Sequence, residues 1–166
     1  GHFKPAMFFP RRTQLADCLD DFFFTQSYDT ILGSSRSATS GQVVQLDVRR
    51  KIAGLDLPGM PHLGSGITWK WQDPAGSERL VMASPNLNQD LVTVIDLKTY
   101  QTIKQIKTLG PGSFLRSHEM SRYAFTDSMM STENKNILQV IDKRTLEVVA
   151  QIKAEPGQTL AHVEFT

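Results

Sequence analysis

The chain has 166 residues, 40% hydrophobic and 21% charged, with 18 Lys and Arg against 17 Asp and Glu and a formal net charge of +1. That balance, with no basic run, argues against nucleic acid as the main partner, and the length suits one ordinary domain with a real core. Its longest apolar candidate is broken by Asp20 and Asp21, well short of the roughly 18 residues a membrane helix needs, and the single cysteine, Cys18, leaves no internal disulfide framework or thiolate metal cluster.

The chain opens GHFKPAMFFP, and Gly1-His2 reads as a tag remnant, which leaves 3–166 for fold reasoning. Two β-rich runs follow, LDDFFFTQ and TILGSSR, and then the hairpin-like GQVVQLDVRRKIAGLDLPG. The order repeats twice. GITWKW and RLVMAS precede DLVTVIDLKTYQTIKQIKTLG, and GSFLRSH and RYAFTDS precede ILQVIDKRTLEVVAQIKAEPG. A last run, TLAHVEF, starts a fourth unit and stops inside an apolar stretch, so the chain reads as a piece of a longer protein.

Each hairpin holds a β-branched run ending in an aspartate, a polar turn, a second β-rich run and a glycine. The aspartates are Asp47, Asp96 and Asp142, spaced by 49 and 46 residues. That period belongs to propeller blades, roughly 40 to 50 residues each, and an aspartate can hold such a turn through nearby backbone N–H groups. Each unit reads as four strands, over about 20–59, 66–107 and 113–153, with the truncated blade from 158. Runs such as LVTVID are apolar on both faces, as expected for blades stacked on both sides. The fold expected is all-β, a fragment of about three and a half four-stranded blades. A β-sandwich of short hairpins is the alternative. Three blades and a fraction cannot close a ring, so self-association through open blade edges is expected.

The stretch LPGMPHLGSGI places His62 on the loop from the outer strand of one blade to the inner strand of the next. Such loops form one rim of a propeller, together with those between second and third strands. An imidazole titrates near neutral pH and can donate, accept or coordinate. Gly64 and Gly66 let backbone approach a flat ligand and Pro58 and Pro61 stiffen the loop, although an ordinary turn uses the same residues. Asp20 and Asp21 could do general acid–base work or cap a loop, and the sequence does not distinguish them.

DDFFFTQSYDTILGSSR, GQVVQLDVRRKIAGLDLPGMPHLGSGI, LGPGSFLRSH, VIDKRTLEVVAQIK and GQTLAHVEF resemble the cytochrome d1 haem domain family, specifically its NirF-like, haem d1 biosynthesis branch. The resemblance implies an eight-bladed β-propeller in the bacterial periplasm of denitrifiers that binds haem d1 or a haem d1 precursor. Its implied partners are other haem d1 biosynthesis proteins and nitrite reductase. The d1 domain of nitrite reductase uses two distal histidines; His62 matches the one in a PHxGxG loop. Near the other's place this chain reads ADCLDD, and Ser65 replaces an arginine. Those departures favour the biosynthetic branch over a nitrite reductase. The resemblance makes His62 with Asp20 or Asp21 the catalytic candidates, and Arg36, His62, Gly64 and Gln158 the cofactor-binding ones. The arginine would meet macrocycle carboxylates through its planar fork. A non-catalytic binding propeller is a further reading, and a fragment with half a pocket is expected to lack activity.

Other residues read as structural: His118 in a turn on the opposite rim, His162 inside the last strand, packed or left exposed, and Phe22 to Phe24, Trp69 and Trp71, which could stack on a macrocycle but at inner-strand positions are more often core. Cys18 reads as a small buried hydrophobe. No protein-only metal site is expected, since no His-x-x-His or similar spacing occurs.

Overall fold

The structure, a computed structural model, describes residues 19–36 and 40–166, so Cys18 and the Gly1-His2 pair lie outside the described residues. Its first sheet holds β1 (Asp21–Phe24), β2 (Thr30–Ser34), β3 (Gly41–Gln45) and β4 (Arg50–Leu55). The second holds β5 (Ile67–Gln72), β6 (Glu78–Pro85), β7 (Leu91–Asp96) and β8 (Thr102–Lys107). The third holds β9 (Leu115–Arg116), β10 (Tyr123–Asp127), β11 (Ile137–Asp142) and β12 (Glu147–Lys153). All pairs are antiparallel and each sheet keeps its strands in chain order. Short connections between sequential strands favour that order.

The sheets stack in a row, as blades do, and not as two faces of a sandwich. Leu32, Val43, Leu55, Leu57 and Leu63 pack on Met82 and Ile95, between the first and second sheets. Trp71, Val81, Val92, Val94 and Ile106 pack on Leu115, Ala124, Ile141 and Leu146, between the second and third. The second sheet is therefore apolar on both faces, as its run LVTVID implies. Each fully buried Leu, Ile or Val contributes about 1.5–3 kcal/mol relative to exposure. Beyond these layers Phe22, Phe24 and Ile52 stand exposed on the first sheet, and Val149 and Ile152 on the third.

The third-to-fourth-strand turns use the expected aspartate in two sheets. Asp96 Oδ1 accepts from the backbone N–H of Lys98 (2.7 Å) and Thr99 (3.1 Å), and Asp142 Oδ1 from that of Arg144 (2.8 Å). An arginine at the start of the second strand completes each: Arg79 Nη1 lies 3.0 Å from Asp96 Oδ2, and Arg122 Nε 2.8 Å from Asp142 Oδ2. The expected third member, Asp47, is not equivalent. A bulge precedes the turn at Val94/Ile95 and Val140/Ile141, and the matching bulge at Val43/Val44 puts Gln45 in the aspartate's place. The left-handed turn residues agree, Arg49, Tyr100 and Leu146 each lying four positions further on. Asp47 is exposed.

TLAHVEF, the expected start of a further blade, joins no strand ladder among the described residues. The segment still runs along the third sheet, with His162 against Phe114 (ring centroids 5.1 Å apart) and Phe165 against Phe125 (5.8 Å). Its only backbone tie is Leu160 N–H to Lys135 O, 2.8 Å, among the described residues.

Both turn carboxyls are held below the ordinary value of 3.8. At Asp96 burial pushes upward but is outweighed by the Thr99 and Lys98 N–H groups and Arg79. At Asp142 the Arg122 hydrogen bond leads, against burial. A carboxyl depressed by folding gives stability that is complete above its unfolded pKa and is lost as pH falls through the folded one. Replacing Asp142 by Ala also strands buried N–H groups, so it should lower unfolding free energy at pH 7 by about 2 kcal/mol. Chemical denaturation should show that deficit shrinking as pH falls below the ordinary carboxyl value of 3.8.

Candidate functional site

The loop from β4 to β5 is built against the end of β6. The Asn86 amide donates to Pro58 O (2.7 Å) and accepts from Met60 N–H (3.2 Å), while His62 N–H donates to Pro85 O (2.9 Å). After His62 the chain makes a 3-10 turn, Leu63–Ser65, whose Leu63 is buried beside Leu32 and Met82. Gly64 N–H donates to Asp21 Oδ2 at 3.0 Å, and a Cβ on Gly64 would lie 2.9 Å from Asp21 Oδ1. A side chain at position 64 would push that carboxylate aside. The prolines and glycines thus have one result, an imidazole on a fixed stem.

The ring itself is fixed from the next blade. His62 Nδ1 lies 2.6 Å from the carbonyl oxygen of Ser113, with Ser113 Oγ at 3.4 Å. A carbonyl only accepts, so the proton is on Nδ1. Nε2 has no hydrogen-bond partner among the described residues and is the atom left for a ligand. Phe114 stands edge to face with His62 at 6.4 Å, and His162 packs against Phe114 at 5.1 Å. The Arg116 guanidinium sits 5.7 Å over the Phe114 ring.

Beside His62 is a cleft of about 130 Å³ lined by Asp20, Asp21, Ser34, Arg36 and Met60 among others. Ligand sites enclosing a whole small molecule usually measure about 300–1,000 Å³. This cleft by itself is therefore too small to enclose such a molecule. A wider open groove of about 1020 Å³ lies elsewhere, along β5 and the turns that hold Glu119, Arg122 and Lys143. The ammonium of Lys143 is buried there and bonded to His118 O at 3.2 Å. Burial pushes its pKa down.

Residues 4–166 match the cytochrome D1 heme domain family. The chain belongs to that family. It is 46% identical to the dihydro-heme d1 dehydrogenase of Pseudomonas aeruginosa over 157 residues, covering 95% of this chain and 31% of the relative. To protein NirF of Stutzerimonas stutzeri it is 29% identical over 107 residues, 64% of this chain and 24% of the relative. The structure of dihydro-heme d1 dehydrogenase NirN in complex with DHE superimposes with a TM-score of 0.86 at 45% identity, covering 94% of this chain and 32% of that one. Kuenenia stuttgartiensis hydrazine synthase, at TM-score 0.63 and 19% identity over 93% of this chain and 40% of that one, shares the fold. The chain thus spans about a third of the length of the first relatives it matches.

In this d1-family chain, four residues expected from sequence meet at one cleft: Asp20, Asp21, Arg36 and His62. The neighbouring Gly64 reaches it through Asp21. The structure also separates the two carboxylates. Asp21 is committed at both oxygens, to Phe22 N–H (2.9 Å) and Gly64 N–H. Asp20 Oδ2 accepts from Arg36 N–H at 2.5 Å, and its Oδ1 has no partner among the described residues. Gln158 does not line the cleft; it stands exposed after β12, its N–H bonded to Glu155 O at 3.2 Å. His118 stays in the β9–β10 turn and accepts from Met120 N–H at 3.1 Å. Trp69 and Trp71 are tied by their indole N–H groups to Lys143 O and Arg144 O. Of the three phenylalanines expected in the core, Phe23 packs inward while Phe22 and Phe24 are exposed, since strand alternation turns them outward.

Phe114 and Arg116 were not legible as site residues, and His162 reads as structural from sequence. Replacing Asp21 by Ala should free the 3-10 turn, and hydrogen exchange at Gly64 N–H should then quicken about tenfold.

Proposed function

We propose that this chain forms part of the tetrapyrrole-binding wall of an eight-bladed propeller that acts in haem d1 biosynthesis. The observation that carries the reading is the meeting of Arg36, Asp20 and the oriented His62 at one cleft, in a chain 46% identical to a dihydro-heme d1 dehydrogenase. The donors present suit a flat aromatic ligand bearing several carboxylates. Arg36 offers a planar fork to a carboxylate, Phe114 an aromatic ring, and Arg116 a second guanidinium with no ion-pair partner among the described residues. His62 Nε2 accepts a proton or hydrogen bond from the ligand, and Asp20 is the carboxylate free to pass a proton onward. The tetrapyrrole is the substrate in this reading, and its conjugated ring supplies the electron delocalisation.

Carboxylates in place of a second distal imidazole support this role over nitrite reduction, in which an iron-bound anion is gripped by two histidines. The exposed outer faces of the first and third sheets are where further blades of the ring stand. A periplasmic setting and delivery of the finished cofactor to a nitrite reductase follow from the same reading.

The test is a titration of the full-length protein with haem d1 or its dihydro precursor, followed by absorbance. Loss of one charged or oriented hydrogen bond is worth about 1.5–3 kcal/mol, so His62→Ala and Arg36→Ala should each weaken binding by about tenfold or more. Arg144→Ala, on the wider groove, should bind as the parent does. Equal affinity in all four proteins would contradict the proposal.

A further inference from the structure

Asp127, at the end of β10, is buried to 1% and pairs with no cation among the described residues. Its carboxylate is saturated by backbone instead. Oδ1 accepts from Ser113 N–H (3.1 Å) and Met129 N–H (3.0 Å), and Oδ2 from Phe114 N–H (2.7 Å). The approach is as close as backbone permits, since a Cβ on Gly112 would lie 2.1 Å from Asp127 O.

One peptide group carries two of the contacts that matter. The unit joining Ser113 to Phe114 gives its N–H to Asp127 and its carbonyl to His62 Nδ1. A trans peptide is planar, with N–H and C=O pointing in opposite directions. Holding the N–H inward therefore aims the carbonyl outward at the imidazole. The negative charge at one end polarises the peptide and strengthens the acceptor at the other. The preceding blade shows the contrast. There Asn86, at the end of β6, both accepts from Met60 N–H and donates to Pro58 O. An amide would offer the 113–114 loop a donor it has no use for; a carboxylate offers acceptors alone.

We infer that Asp127 is the positioning residue of this site, setting the tautomer of His62 through the Ser113–Phe114 peptide so that Nε2 faces the ligand unprotonated. Asp127 touches no ligand itself. The inference rests on the proposed use of His62 against a tetrapyrrole, but its primary readout does not.

The experiment labels the histidines of the full-length protein with 15N and reads the His62 tautomer from long-range 1H–15N correlations, with His62→Gln to assign it. The parent should show neutral His62 as the Nδ1–H form. Asp127→Asn, nearly isosteric but one acceptor short, should convert it to a mixture and weaken haem d1 binding about tenfold. Phe114→Ala keeps the backbone bonds and should keep the tautomer. An Nε2–H parent overturns the inference without any variant, which covers the case of Asp127→Asn failing to fold. So does a folded Asp127→Asn that stays purely Nδ1–H, or a Phe114→Ala that mixes. A mixed tautomer in Asp127→Asn with haem d1 affinity unchanged upholds the positioning role and contradicts instead the use of His62 on the macrocycle.

Discussion

Apolar packing on both faces of the β5–β8 sheet, with Met82 and Ile95 turned to the first sheet and Val92 and Val94 to the third, fixes how its neighbours stand. Sheets twist, so three of them packed face to face splay like leaves about a common edge. The loop entering the second sheet meets the loop entering the third. His62 enters at the second sheet, Phe114 at the third, and His162 just beyond it. No long-range search by individual side chains is needed. Once the middle sheet is buried twice, the rings of successive loops become neighbours.

Within that arrangement polar groups do the fine placement. Asn86 and Asp127 occupy matching ends of second strands, and each reaches back to the loop that enters its own blade. Asp21 performs a related task across blades, holding the turn after His62 by its Gly64 amide. The wall has a consistent division of labour. Carboxylates and amides are spent largely on backbone N–H groups, and in the proposed function Nε2 of His62, one oxygen of Asp20 and the guanidinium groups of Arg36 and Arg116 are the groups that would meet a ligand. A carboxylate with three N–H donors is a stable buried anion without a cation, because the donors replace its lost hydration.

The blades were legible because their signal is local and repeated: paired β-rich runs, turn residues, and a period near that of propellers. The register inside a repeat was less so. Asp47 looks like a third copy of Asp96 and Asp142, but a bulge sets the true phase, and a bulge leaves no mark in composition. That Arg36 and His62 share a cleft was legible through family resemblance, and Asp20 and Asp21 stood out as paired carboxylates at a place where the family pattern is broken. Phe114, Arg116 and Asp127 were not legible. Their roles depend on which loop of the next blade touches His62, a relation set by sheet stacking and not by neighbours in sequence. Gln158, matched in sequence on a later loop, is exposed and does not line this cleft.

The central claim is that ligand recognition sits where these entering loops converge. It is tested most directly by an experimental structure of the full-length protein with haem d1 bound. The account predicts the macrocycle against His62 and Phe114, with ring atoms within about 4 Å of both side chains. A macrocycle seated instead in the groove beside Trp69 and Lys143 would contradict it.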